Sequence, residues 1–264
     1  MINKYKTRQL ISFDERCPMM CKHCYTYELE EKAKKRTQKE LVLSLQNKQF
    51  DIIYVSQSYE NFFDEQAGLQ LCSDLYHTYQ KDLFVITRNH LSNKAIERLG
   101  ALNREMQTQG NQLFLSVSVC ADDSYGFTEN VQLCPTPRQR LENLERAFRQ
   151  GIKTLLIVRP VFPNHIIPVA ECLNLIELAQ PYICAVISSG LIATDKILNK
   201  LGLNREAFRY LSNGDSDYLD NLPSEAALYV DVESELKKIE RFCEQKNVRF
   251  FRHSMPALNA LAGN

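Results

Sequence analysis

The 264-residue chain lacks several things that would have named its class at once. No apolar run approaches the roughly 20 residues that a membrane-crossing helix needs, so no span is expected. The opening segment from Met1 to Arg8 has no apolar stretch of the secretory kind, which points to a cytoplasmic protein. Net charge is missing too, since 32 basic residues offset 32 acidic ones. A balanced chain exerts no bulk pull on nucleic acid and leaves only a local basic groove open. No repeat, low-complexity tract or clear linker divides the chain, whose length suits one large α/β domain. Nine cysteines are present. In a reducing compartment they argue for metal ligation and buried thiols rather than a disulfide framework.

Apolar, β-branched runs alternate with longer amphipathic stretches, the rhythm of βαβ units around a parallel sheet. Strands are expected over 9–13, 51–56, 82–87, 113–119, 153–158 and 183–188. Helices are expected over about 37–47, 65–79, 92–107, 135–150 and 167–179, with Ser92 an N-cap and Pro137 near a helix start. After Gly190 the pattern loosens through a turn-rich break at 213–217. A last strand–helix–strand unit then follows over 227–230, 233–246 and 248–251. Residues 1–193 are expected to form the core and 194–264 a C-terminal extension capping it. The segment 252–256 is expected to fold back over the mouth and touch substrate.

Cys17, Cys21 and Cys24 stand at x3 and x2 spacing directly after the first strand. Chance would give this spacing about 0.01 times in a chain of this cysteine content. Three thiolates so close can hold a [4Fe–4S] cluster with one iron left open, where S-adenosylmethionine (SAM) would bind through its amino and carboxylate groups. A zinc knuckle is the competing reading, although a structural zinc site usually wants four ligands, often in two separated pairs. Buried free thiols are another. The remaining six cysteines form no close pair, so a second locally bound cluster is not expected. Cys72, Cys172 and Cys184 suit the core.

Ligands of parallel β/α structures gather at the carboxyl ends of strands. Those ends here carry Ser56-Gln57-Ser58, Thr87-Arg88-Asn89, Ser116 and Ser118, Arg159, and Ser188-Ser189, a polar set at one rim. Arg88 suits the SAM carboxylate, because a guanidinium grips a carboxylate through two N–H groups. Glu60 suits the methionine ammonium and Ser118 the ribose hydroxyls. Cys120, at the end of the fourth strand, is a candidate hydrogen-atom donor, with a packed thiol as the alternative. Cys134 could approach the same space. Arg138 and Arg140 open a helix, where cations oppose the macrodipole. An anionic partner or salt bridges to Glu142 or Glu145 would account for them.

The cysteine motif, with the ring of His23 just before the last cysteine, resembles the signature of the radical SAM superfamily. The resemblance runs from about Arg8 to Ala193. It implies an α/β fold of the partial (β/α)6 barrel type, here with a C-terminal β/α extension. It also implies [4Fe–4S] ligation by Cys17, Cys21 and Cys24, and His23 in the slot whose backbone lies near the SAM adenine. The glycine-glycine-glutamate signature expected after the second strand is absent, replaced by Ser56-Gln57-Ser58-Tyr59-Glu60. With Ile86-Thr87-Arg88 and Ser116-Val117-Ser118, this pattern is weakly similar to the spore photoproduct lyase-like branch. There a basic residue after the third strand and a serine on the fourth contact SAM, matching Arg88 and Ser116 or Ser118.

The expected activity is reductive SAM cleavage, with a 5′-deoxyadenosyl radical taking hydrogen from a small-molecule, nucleoside or peptide substrate. A flavodoxin- or ferredoxin-like protein would supply the electron. The alternatives are a nucleic-acid lesion repair lyase and a non-catalytic iron–sulfur sensor or carrier.

Overall fold

Nine strands and nine helices are seen in the computed structural model, which describes residues 4–13, 17–24, 36–56, 59–210 and 228–262. The strands are β1 (Arg8–Ile11), β2 (Ile52–Val55), β3 (Asp82–Thr87), β4 (Leu113–Val119), β5 (Lys153–Val161), β6 (Ala185–Gly190), β7 (Ile192–Ala193), β8 (Leu228–Tyr229) and β9 (Arg249–Phe251). The helices are α1 (Gln38–Leu43), α2 (Glu65–Tyr79), α3 (Asn93–Thr108), α4 (Tyr125–Thr128), α5 (Pro137–Arg149), α6 (Val169–Ala179), α7 (Asp195–Leu201), α8 (Glu233–Gln245) and α9 (Ser254–Ala262). Seven strands make one parallel sheet in the order β1-β2-β3-β4-β5-β6-β9. The expected α/β architecture of a parallel sheet flanked by helices is the one observed, and the C-terminal strand β9 joins that sheet beside β6. Among the described residues its edge strands β1 and β9 do not pair with each other.

Local chemistry fixes the helix starts. Thr37 and Thr136 each form a capping box, with Glu40 and Gln139 respectively, and Ser92 accepts from the Ala95 amide at 3.2 Å. Pro137 enters the first turn of α5, where its missing N–H costs nothing. Strand alternation then sorts side chains between two faces. Along β4, Leu113, Leu115, Val117 and Val119 face the outer helices, while Phe114 joins an inner cluster with Tyr54, Phe84 and Leu155. Ser116 and Ser118 share the inner face with Phe114, higher on the strand. The inner face is thus an apolar floor beneath a polar rim.

Three features depart from expectation. β5 runs past Arg159-Pro160 to Val161, because a register shift between Val158 and Val161 absorbs the proline. β8 pairs antiparallel with β7, outside the main sheet, and the expected start of that strand, Ala227, lies outside the described residues. So does the break at 213–217.

The segment expected to fold over the mouth meets the rim at its start, where Arg159 contacts the Arg252 carbonyl, and from Ser254 it becomes α9, whose Ala257, Leu258 and Leu261 pack on the inner floor. Asn259 exchanges two hydrogen bonds with the Tyr5 backbone, at 2.7 and 2.9 Å. Lys153 Nζ donates to the Leu261 carbonyl at 2.7 Å and Arg249 to that of Ala260 at 2.8 Å. The helix therefore sits at the end of the sheet away from the polar rim. No helix among the described residues is long and apolar enough to cross a membrane.

Candidate active site

The cysteine loop after β1 is clamped by the segment between β4 and α5. Lys22 donates its amide to the Thr128 carbonyl at 2.9 Å and its Nζ to that of Gly126 at 3.0 Å. The His23 ring meets the same Thr128 oxygen at 3.1 Å through Nδ1. Burial and then the Arg88 charge push the His23 imidazolium down to about 3, so the ring is neutral. A carbonyl can only accept, so Nδ1 carries the proton. His23 is thus a buried anchor of the loop. The turn at Met20 takes a left-handed φ of 48°, which lets the chain reverse between Cys17 and Cys21.

Cys21 forms a small buried group with Met19 and Cys134, and the half-buried Cys17 and Cys24 pack against it. Cys21 Sγ lies 4.0 Å from Cys134 Sγ, whose thiol also donates to the Met19 carbonyl at 3.4 Å. Burial pushes the Cys17 thiol up to about 11, and the bond to Cys134, with burial, raises Cys21. Loading this site with metal would expel thiol protons and needs nearby positive charge to do so. Among the described residues, no three His, Cys, Asp or Glu side chains already stand in a closed metal-ligating arrangement.

The positive charge lies next door. Glu129, at the end of α4, accepts from Arg88 Nη1 at 2.9 Å and from Arg140 Nη1 at 3.3 Å. Its second oxygen takes Arg140 Nη2. Arg140 is fully buried and also holds the Ser118 carbonyl at 2.8 Å and the Pro135 carbonyl at 3.0 Å. Burial works against the Glu129 carboxylate, but Arg140 and Arg88 outweigh it and lower its pKa. Two guanidinium groups against one carboxylate leave one net positive charge beside the cysteines. The Arg88 charge is itself held by the Glu129 carboxylate against the cost of burial.

The other expected contacts are placed as follows. Arg88 spends its fork on Glu129 and, at 3.4 Å, the Arg159 carbonyl, with 21% of its side chain exposed. Glu60 turns inward and accepts from the Arg88 amide at 2.5 Å, the Thr87 hydroxyl at 2.9 Å and the Phe62 amide at 3.2 Å. It braces the start of the segment after β3, and burial raises its pKa. Ser116 donates to the Leu155 carbonyl at 3.1 Å, while Ser118 stands two positions further towards the rim. Arg159 Nη2 donates to the Arg252 carbonyl at 3.0 Å. Cys120 is buried among the outer-face residues and donates to the Pro160 carbonyl at 3.1 Å. Ser56 follows β2 with a left-handed φ of 71° and accepts from the Asn61 amide at 3.2 Å. Gln57 and Ser58 lie outside the described residues.

Sequence reasoning missed Glu129. Sequence alone offers the cations of α5 an anionic partner or salt bridges to Glu142 or Glu145, but those acids pair with His90 and Arg149. Arg140 goes to Glu129 and Arg138 to Asp122 at 2.7 Å. The signal was available, since two cations at a helix start call for acids, but the acids come from the preceding loop.

No family model and no curated protein sequence matches the chain. Solved structures do. A spore photoproduct lyase variant superposes with a TM-score of 0.62 at 12% identity, over 92% of this chain and 76% of that one. Another, with bound SAM and dinucleoside spore photoproduct, gives 0.59 at 13% identity over the same shares. SuiB of Streptococcus suis bound to SAM gives 0.60 at 10% identity, over 95% of this chain and 51% of that chain, so the present chain spans about half of SuiB. Seven parallel strands in this order, with edge strands that do not pair among the described residues, carry the fold that spore photoproduct lyase and SuiB share.

Proposed function

We propose that this chain is a radical SAM enzyme that holds a [4Fe–4S] cluster through Cys17, Cys21 and Cys24. The observation that carries the reading is the convergence of these cysteines with the buried Arg88–Glu129–Arg140 group at one rim of the sheet. The residues fit the cofactor. A [4Fe–4S]2+ cluster on three thiolates carries one formal negative charge, and the adjacent group carries one net positive charge. The cluster with SAM would supply an electron to the sulfonium and a 5′-deoxyadenosyl radical able to take hydrogen from substrate.

The chain's own part is positional. Lys22 and His23 fix the loop against 126–128, and Arg140 ties the β4 rim to α5. Ser118 and the exposed part of Arg88 offer polar contacts for SAM on the inner face, and Ser116 and Arg159 line the same wall. The apolar floor below excludes water. Among the related structures, a spore photoproduct lyase binds dinucleoside spore photoproduct and SuiB binds the precursor peptide SuiA. A nucleoside or peptide substrate is the corresponding proposal here, with electrons from a cytoplasmic flavodoxin- or ferredoxin-like reductant.

One observation favours a second reading. Cys134 brings a fourth sulfur to Cys21, and four cysteines could close a cluster completely, as in an iron–sulfur carrier. A single experiment separates the two. The chain is reconstituted anaerobically with iron and sulfide, reduced, mixed with SAM, and assayed for 5′-deoxyadenosine by mass spectrometry. Product that disappears on Cys17→Ala, Cys21→Ala or Cys24→Ala supports the enzyme. A stable four-iron cluster that never cleaves SAM supports the carrier, and zinc in place of iron overturns both.

A further inference from the structure

One group of hydrogen-bond donors inside the sheet serves none of the roles assigned above. Strand alternation turns Arg8 and Leu10 of β1 inward, while Ile11 joins the outer core. Leu10 is 49% exposed, so the inner face of this edge strand opens on space rather than on packing. Arg8 lies over the Tyr54 ring at 5.1 Å, and its Nη1 donates to the Ser254 hydroxyl at 3.4 Å. Among the described residues it has no carboxylate partner.

Tyr54 is fully buried, and its hydroxyl bonds to that of Ser254 at 3.0 Å. Two hydroxyls share this one bond, so whichever way it runs one hydroxyl proton is left over. Among the described residues neither hydroxyl donates to another acceptor. Arg159 brings a second cation. It stands beyond Leu155 and Ile157 on the inner face of β5 and reaches past β6 to the Arg252 carbonyl at 3.0 Å. Burial raises the Tyr54 pKa, and the Arg8 and Arg159 charges both work against that rise, one from β1 and one from β5. None of the four residues is an acid. Donors and like charges gathered in this way call for an acceptor that carries negative charge.

We propose that Arg8 and Arg159, with the hydroxyls of Tyr54 and Ser254, form a subsite for an oxyanion of the substrate, a phosphate or carboxylate group. The inference rests on the enzyme reading above and deepens it by giving the substrate a charge. A guanidinium offers paired N–H groups to two oxygens, and the spare hydroxyl proton adds a further donor. These donors come from β1, β2, β5 and the start of α9, so they surround the group rather than meet it on one side. Tyr54 is level with Phe84 and Phe114, each four residues short of Arg88 and Ser118 on its own strand. An anion held here therefore anchors one end of the substrate near the floor and leaves the other end towards SAM.

The test is a thermal melt of the reconstituted chain in saturating SAM, titrated with inorganic phosphate and separately with malonate, then repeated without SAM. Phosphate also stabilises proteins generally, by exclusion from their surface, and Arg8→Gln retains that part. At about ten times the dissociation constant, the wild type should gain about 3–6 °C beyond what Arg8→Gln gains. Arg8→Lys, which keeps the charge, should recover part of the difference, and Arg159→Gln should lose it. The larger of the two extra rises tells a phosphate ester from a carboxylate. Equal rises in the wild type and Arg8→Gln overturn the inference, whatever the yield of 5′-deoxyadenosine, which measures the enzyme reading separately. An extra rise seen only without SAM overturns it too, because the anion held there is then the SAM carboxylate. An extra rise in a chain that never yields 5′-deoxyadenosine keeps the oxyanion site and removes the enzyme reading.

Discussion

Replacing Glu129 by glutamine removes one charge from the centre of the molecule and little else. The side chain keeps its size, but an amide N–H now faces the N–H groups of Arg140 or Arg88, donor against donor. Arg140 is fully buried and pairs with no other carboxylate among the described residues. Removing one partner of a buried pair typically costs about 3–5 kcal/mol, mostly for the charge left behind. At the roughly 2–4 °C per kcal/mol usual for chains of this size, the melting temperature should fall on the order of 10 °C.

The assay is a thermal melt of the metal-free protein, repeated in urea. The sign with pH follows from the lowered pKa of Glu129. A carboxylate held below its ordinary value of about 4.3 stabilises the fold above that pH and loses the contribution as pH falls through its folded value. The gap between wild type and Glu129→Gln should therefore be constant near neutrality and close in acid. A second variant, Glu129→Gln with Arg140→Met, should recover much of the loss, since no buried charge is then left alone. A loss below about 1 kcal/mol in the single variant, or a gap that widens in acid, would refute the reasoning.

Other outcomes follow from particular contacts. Gly190→Ala places a methyl 2.7 Å from Val232 Cγ2 and 3.0 Å from the Val230 carbonyl, so it should cost about 1–3 kcal/mol, with part returned by Val232→Ala. If denaturation midpoints stay put, the β6–β8 approach is looser than described. Leu258→Ala empties part of the inner floor and should cost about 2–5 kcal/mol, and a smaller loss would mean that α9 is not docked there. Cys120→Ala should lower the unfolding midpoint yet leave both SAM cleavage and product unchanged. A changed product at unchanged SAM cleavage would return Cys120 to the role of hydrogen donor.

Much of the sheet was legible because its signals are local. Helix starts at Ser92 and Pro137 follow from capping chemistry, and the β4 alternation separates Phe114, Ser116 and Ser118 from their outward neighbours without reference to any distant residue. The three cysteines were legible as spacing alone. Glu129 was not, because it sits at the end of a four-residue helix in a region with no periodicity, and only the folded chain brings it between Arg88 and Arg140. Helical i,i+4 logic pointed Arg140 at its own helix, whereas its side chain turns inward to a loop acid. The helix α9 was hidden by Pro256, which reads as a breaker but is tolerated within a first turn. Cys134 looked isolated in sequence and is isolated only there.

The anchoring of α9 also has a mechanical side. The helix follows β9, at one edge of the open sheet, and grips Tyr5, just ahead of β1 at the other. The two edges are thus tied together at the floor, while the cysteine loop and the ends of the strands lie at the opposite end. A sheet fastened this way bends like a sprung peg: spreading the jaws takes little work, and spreading the pivot takes much. Admitting a bulky molecule between the jaws would then leave the floor, and the packing of Leu258 within it, undisturbed.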